Sequence, residues 1–396
     1  MMKPVPLARP SMGHGELEAV RQVLRSGWLV QGPRVAEFEA LVSRFTALPH
    51  AVAVSSCTSA LYHCLRILGV GSGDDVLVPA FTFVATANSV VHAGGTPVFV
   101  DIDLATFNIS RNAVESRVRQ LYTRRAGVLR NRKTGRGLRY MLVVHQFGLS
   151  ADMAALGSFA RDNRIVVVED AACAFGTHFR GRHVGSFGVA GCLSFHPRKS
   201  ITTGEGGMVI TRDSALARKV RMMRDHGART SDHERHRKGV MRMPEYPISG
   251  FNSRMTDLQG ALGVIQIRRA RAMLTRRDQI ARRYLARLQG THGLVLPSIP
   301  GGCGHSWQSF VVRIPSGRRA RNAVAELLKR KGISTRPGTH ALPWLGAFRG
   351  LGPEERAACP NAREAEATSL SLPLFVGLSD RQVDLVASAL RHALNY

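Results

Sequence analysis

Lys199 lies between the apolar stretch Cys192–Phe195 and the glycine-rich turn Gly204-Glu205-Gly206-Gly207. A lysine in that setting is a candidate Schiff-base nucleophile, although lysines are more often solvated charges and such runs are often plain turns. Upstream, Ile165-Val166-Val167-Val168 runs into Glu169 and Asp170. This β-branched run predicts a buried strand closing on carboxylates, at the strand end where α/β proteins bind ligands. An imine-forming lysine and a carboxylate about a strand-end away are the two groups a pyridoxal phosphate site needs: Lys199 for the Schiff base, Asp170 for the pyridinium nitrogen. A third need is a phosphate cup. Ala51–Val54 reads as a strand, Ser55-Ser56-Cys57-Thr58-Ser59 follows, and Ala60–Leu68 has helical spacing that stops at Gly69. Small hydroxyl residues at a helix start leave backbone amides for an anion, or serve as an ordinary helix cap.

These groups need a scaffold. From about residue 50 to about 230, apolar runs alternate with helical patterns, which predicts an α/β fold with a mostly parallel sheet flanked by helices. Residues 1–256 are expected to form the N-terminal segment and the large, cofactor-binding domain. A long helix from Asp257 to Leu288 bridges to a small C-terminal α+β domain within residues 257–396, with a strand over Ser306–Ile314 and helices over Ala320–Lys331 and Asp380–Leu394. There is no internal repeat.

In this order, the segments resemble the DegT/DnrJ/StrS family of pyridoxal-phosphate sugar aminotransferases, a branch of the fold-type-I, aspartate aminotransferase-like enzymes. The resemblance extends over Ser26-Gly27-Trp28 with Gly32-Pro33, Val78–Asn88, Gly94–Asp103, Gly250–Gln259 and Gly332–His340, so it covers nearly the whole chain. It implies a seven-stranded, mostly parallel sheet in the large domain. It also implies Lys199 as the Schiff-base lysine, Asp170 as partner of the pyridine nitrogen, and Phe83 as the aromatic against the cofactor ring. The backbone of Thr58 and Ser59, with the Ser194 hydroxyl, would hold the phosphate. Asn252 would reach the same phosphate across a homodimer interface, so the two active sites are shared, and Arg254 on its loop would add a fixed cation. His196, His340, Trp28 and His305 are candidate substrate contacts. Family members with His in place of the lysine are dehydrases, so Lys199 implies amino transfer.

The chain departs from the family pattern twice. Cys173, near the cofactor's phenolic oxygen, stands where Gln or His is common, and a thiol is a weaker hydrogen-bond partner. Cys57 stands in the phosphate turn where many members have Gly, so that turn must take a side chain.

The 396 residues include six cysteines without a CxxC pair, which argues against zinc and a disulfide framework. No run approaches about 20 apolar residues, and the N-terminus lacks a hydrophobic signal core, so a cytoplasmic protein with no membrane partner is expected. The net charge is +27. Much of it lies between Arg117 and Arg139, expected to be an exposed loop inserted before the strand Met141–Val144, and between Arg218 and Arg242. It is read as solvated surface, as a field for an anionic nucleotide-bearing substrate, or as a nucleic-acid surface; the last lacks interleaved aromatics and a binding motif. The expected function is a homodimeric aminotransferase that moves an amino group from L-glutamate to a keto group of a nucleotide-activated deoxysugar, the cofactor passing through its pyridoxamine phosphate form. The alternatives are action on a keto-cyclitol or other non-nucleotide ketone, and a cofactor-bearing relative with a regulatory or nucleic-acid-binding role.

Overall fold

Short β-branched runs separated by helices stack side by side. The computed structural model describes residues 4–230, 235, 243–350 and 352–395. After α1 (His14–Ser26) and α2 (Pro33–Thr46), the chain lays down β1 (His50–Val54), α3 (Cys57–Ile67), β2 (Asp74–Pro79), α4 (Ala85–His92) and β3 (Thr96–Val100). It continues with α5 (Arg111–Leu121), β4 (Tyr122–Arg125), β5 (Val128–Asn131), β6 (Gly137–Val144), α6 (Met153–Asp162) and β7 (Val166–Asp170). β8 (Ala190–Ser194), β9 (Gly207–Thr211) and α7 (Ser214–Met223) complete this part.

The sheet path is β1-β9-β8-β7-β6-β2-β3. Strands β3, β2, β6, β7 and β8 pair in parallel, while β9 runs antiparallel to both β1 and β8. Every residue of β2, β8 and β9 is buried, which is why Val76–Val78, Gly191–Leu193 and Met208–Ile210 show no apolar-polar alternation. Parallel pairing puts the C-terminal ends of β6, β7 and β8 at one edge of the sheet, so Val144, Asp170 and Ser194 end up near one another.

The long helix α8 (Asp257–Leu288) begins at a capping box between Thr256 and Gln259. Its first residue also serves α2: the Asp257 carboxylate accepts the amides of Gly32, Arg34 and Val35 at 2.9, 3.1 and 2.9 Å. Beyond α8, β10 (Phe310–Arg313), α9 (Arg318–Arg330), β11 (Arg336–Pro337), β12 (Ser369–Leu372) and α10 (Asp380–Leu394) surround a separate apolar cluster. Strand β12 pairs antiparallel with both β10 and β11. The strand expected from Ser306 starts at Phe310, because Trp307 adopts the left-handed region (φ 51°) and breaks the extended run.

The basic segment before β6 is not a free loop. It forms the hairpin β4–β5, and β5 pairs with the first residues of β6, Gly137 and Leu138, which makes nine strands in all. Its polar groups answer two buried acids at the start of β2. Asp75 accepts from Tyr122 Oη (2.7 Å), Asn131 Nδ2 (2.8 Å) and Arg136 Nε (2.6 Å), and Asp74 accepts from Arg139 Nε (2.7 Å). A buried carboxylate needs such partners, so part of the charge counted as surface is internal counter-charge. Most of the second basic cluster's distal half, residues 231–234 and 236–242, falls outside the described residues. Nearer, Arg224 is buried and pairs with Glu39. Among the described residues no helix is long and apolar enough to cross a membrane.

Candidate active site

Glu169 and Asp170 close the same strand, and strand alternation sends them to opposite faces. Glu169 accepts the amides of Gly185, Phe187 and Gly188, each at 2.7 Å, and faces His145 Nε2 at 2.9 Å. The Ala151 amide donates to His145 Nδ1, so Nε2 carries the proton and donates to Glu169. Burial works to raise the Glu169 pKa, yet these donors hold it below the ordinary carboxylate value. Glu169 therefore braces the strand end. Asp170 faces the cavity, where it accepts from Thr86 Oγ1 at 2.8 Å and from the Ala172 amide at 3.1 Å. Burial raises its pKa, opposed by Thr86, Ala172 and the charge of Lys199. A carboxylate so placed is suited to face a cation.

Lys199 lies on the turn that follows β8. The turn is closed by the Lys199 amide on His196 O (2.8 Å), the Thr203 amide on Phe195 O (3.0 Å) and Thr202 Oγ1 on Phe195 O (2.7 Å). From this braced backbone, Lys199 Nζ donates to Cys173 Sγ at 3.1 Å. His196 shares the cavity wall, its Nδ1 accepting the Arg198 amide (3.2 Å), and burial lowers its pKa.

The first turn of α3 is capped by Ser56, whose Oγ accepts the Ser59 amide at 3.1 Å. As first-turn residues, Cys57 and Thr58 have amides with no partner within the helix, and both residues line the cavity. Gly207 of β9 lies against this turn: a Cβ there would stand 2.2 Å from Ser56 C and 2.5 Å from Cys57 N. Gly207→Ala must displace the start of α3, and overpacking of this kind costs roughly 1–3 kcal/mol. We expect the variant to retain pyridoxal phosphate about 10- to 100-fold less tightly, as measured by equilibrium dialysis.

One cavity of about 560 Å³ is lined by Thr58, Phe83, Asp170, Cys173, Ser194, His196, Lys199 and His340, all named from the sequence. Phe83 is a large ring left 60% exposed, a flat apolar face that the fold itself does not cover. The donor set fits pyridoxal phosphate: a buried carboxylate for a cationic ring atom, an amine for the aldehyde, and first-turn amides for the phosphate. Ser59 is off the wall, its hydroxyl held by Ser55 and Ser56.

Other expected residues lie elsewhere in this chain. Asn252 is exposed, on a loop tied beside α3 by Ser55 N to Ser253 O (2.8 Å) and His63 Nε2 to Ser253 Oγ (2.6 Å). Arg254 is paired with Asp225. Trp28 donates its indole N–H to Gln31 O at 3.2 Å, away from the cavity. His305 corrects the expectation of a substrate contact: it is stacked on buried Trp307, with ring centroids 3.9 Å apart, and its Nδ1 accepts the Trp307 amide. Burial takes its pKa down to about 3, the behaviour of a packing residue. Sequence reasoning passed over Thr86, Gln308 and Arg336, which also line the cavity. The Thr82/Thr86 spacing was a usable signal for the first; Arg336 was one of 55 basic residues.

A model of the DegT/DnrJ/EryC1/StrS aminotransferase family matches residues 10–391. The chain is 35% identical to the spore coat polysaccharide biosynthesis protein SpsC of Bacillus subtilis (strain 168), over 98% of this chain and 96% of that protein. The aminotransferase TlmJ from Streptoalloteichus hindustanus superposes with a TM-score of 0.86 at 32% identity, covering 99% of both chains. The putative sugar aminotransferase Spr1654 from Streptococcus pneumoniae, in its PLP form, gives 0.88 at 27% identity, again over 99% of both chains.

Proposed function

Because the chain belongs to the DegT/DnrJ/EryC1/StrS aminotransferase family and is a pyridoxal-phosphate-dependent aminotransferase, we propose that it moves an amino group from L-glutamate to a keto group of a nucleotide-activated deoxysugar. The observation that carries this reading is the convergence of Lys199, Asp170 and the first turn of α3 on one cavity.

In this reading Asp170 holds the cofactor through its ring nitrogen, Lys199 through its aldehyde carbon, and the amides of Cys57 and Thr58 with the Ser194 hydroxyl through its phosphate. When bound, pyridoxal phosphate supplies an aldehyde that captures an amino group and a ring that accepts electrons from the neighbouring carbon. Asp170, fixed by Thr86 and Ala172, keeps a negative charge facing the ring nitrogen and so favours its protonated form. The Lys199 amine would hold the aldehyde end of the cofactor and, as a free amine on the cavity wall, would serve as the base that moves a proton at the substrate carbon. Cys173, in contact with Lys199 Nζ, sits where it can orient that amine. Phe83, exposed on the cavity wall, would cover one face of the ring.

The active unit in this reading is a homodimer. Asn252 is exposed and off its own cavity, an arrangement suited to reaching a partner's phosphate turn. The large positive charge favours an anionic acceptor such as a nucleoside-diphosphate sugar.

The test is an absorbance titration of the cofactor-loaded protein. L-Glutamate is expected to convert the spectrum to that of the pyridoxamine form, and a nucleoside diphosphate is expected to compete with the keto acceptor that restores it. A spectrum indifferent to glutamate would remove the donor. Failure of nucleoside diphosphates to compete would favour a ketone without a nucleotide.

A further inference from the structure

Arg198 and Arg336 line the cavity, and their guanidinium groups make no hydrogen bond or ion pair with any described residue. By contrast, Arg224, Arg254, Arg136 and Arg139 pair with carboxylates. Arg336 is half-buried on β11, pinned by its pairing with Ser371 of β12. Its charged or titratable neighbours are Arg198, a like charge, and Cys173, the residue that Lys199 Nζ touches. Gln308 lines the same cavity; its Nε2 donates to Arg198 O at 3.0 Å and its backbone carbonyl accepts from buried Arg277 at 2.7 Å. The acids on the wall do not answer this charge. Asp170 is engaged by Thr86 and Ala172, and Glu205 forms no ion pair with either arginine.

A partly desolvated guanidinium beside a second one is unfavourable until an anion joins them. The planar fork of Arg matches a carboxylate with two parallel hydrogen bonds. Proximity to Lys199 selects among anions. In an α-amino acid the carboxylate is one carbon removed from the amino group, so an anion seat beside the lysine brings that amine to the reacting position. The diphosphate of a nucleotide sugar is separated from its keto carbon by several bonds and would be seated farther out.

We infer that Arg336, assisted by Arg198, is the seat for the carboxylate of the amino donor. The inference rests on the reading that the donor is an amino acid such as L-glutamate, and its test separates the two. Cofactor-loaded wild type, Arg336→Gln and Arg198→Gln are titrated calorimetrically with glutarate, an inert dicarboxylate, and with uridine diphosphate. An unchanged cofactor absorbance band shows that each variant retains its fold. Arg336→Gln is expected to weaken glutarate about 10- to 100-fold, the scale of a charge-assisted bidentate contact, with Arg198→Gln weaker in the same direction and uridine diphosphate unaffected within about twofold. Equal glutarate affinity in wild type and Arg336→Gln, or loss of uridine diphosphate binding instead, overturns the seat. If glutarate binds through Arg336 while L-glutamate leaves the wild-type spectrum unchanged, the seat stands and the choice of donor falls. If L-glutamate converts Arg336→Gln as readily as wild type, the donor stands and the seat falls.

Discussion

Lys199→Ala is expected to fold, to hold pyridoxal phosphate without a covalent link, and to convert with L-glutamate at least about 10³-fold more slowly than wild type. The fold should tolerate the change. The Lys199 side chain is half-buried and touches Cys173, while the turn beneath it is held by backbone bonds and Thr202 rather than by the lysine. What is lost is the amine, and with it two functions: attachment of the cofactor and proton movement at the substrate carbon. A positioned acid or base alone contributes about 10²- to 10⁴-fold, and loss of the nucleophilic amine adds to that. Borohydride treatment followed by mass spectrometry reads the covalent link directly: wild type gains the reduced cofactor on the peptide containing Lys199, and the variant does not. Trapping that persists at another lysine in Lys199→Ala would move the assignment. Cys173→Ala serves as control, since it removes the contact to Nζ and keeps the amine; it should retain covalent trapping with a modest rate loss.

The parts of this site that were legible in the sequence are those fixed by local pattern. The run Val166–Val168 could only be a buried strand, and the Thr256/Gln259 capping box announces the start of α8. Asp170 stood out because it closes a β-branched run, and Lys199 because it lies between the apolar run of β8 and a glycine-rich turn. Which of Glu169 and Asp170 faces the cavity was not legible from spacing alone, because both close the strand and only the register with β6 and β8 decides between them. The hairpin β4–β5 was hidden for a different reason. Its sequence carries Arg124, Arg125 and Arg130 and buries only Tyr122 and Leu129, and what fixes it is Asp75, 47 residues before Tyr122 in the chain. Long-range counter-charge leaves no local pattern. His305 shows the same limit in reverse. A histidine beside a serine and a tryptophan looks chemically able, but its fate was set by stacking on Trp307, a contact that depends on the left-handed turn at that residue.

Asp170→Asn is expected to leave cofactor binding largely in place and to slow the reaction with L-glutamate about 10²- to 10⁴-fold. The amide can be accommodated by the existing bonds. Its oxygen takes the position that accepts the Ala172 amide, its NH₂ turns toward Thr86 Oγ1, and the Thr86 hydroxyl redirects to Thr82, whose oxygen is 3.4 Å away. The variant thus keeps the shape and removes only the charge. That charge is costly where it stands: burial already pushes the Asp170 pKa up in the free cavity, so the carboxylate gains most when a cation is opposite it. With Asn there, nothing favours a protonated ring nitrogen, and the electron-accepting power on which proton removal by Lys199 depends falls accordingly. Losing one preorganised electrostatic partner costs about 10²- to 10³-fold in well-studied sites, and loss of a fixed proton can extend this. Stopped-flow rates of the single half-reaction, compared with the cofactor dissociation constant for the same protein, separate chemistry from binding. A rate within about threefold of wild type would show that Asp170 only packs against the cofactor. A large loss of binding with an unchanged rate at saturation would make it an anchor and leave the electronic role to another group. The third result, a slow reaction on a well-bound cofactor, is what a buried carboxylate held by Thr86 and the Ala172 amide is built to give.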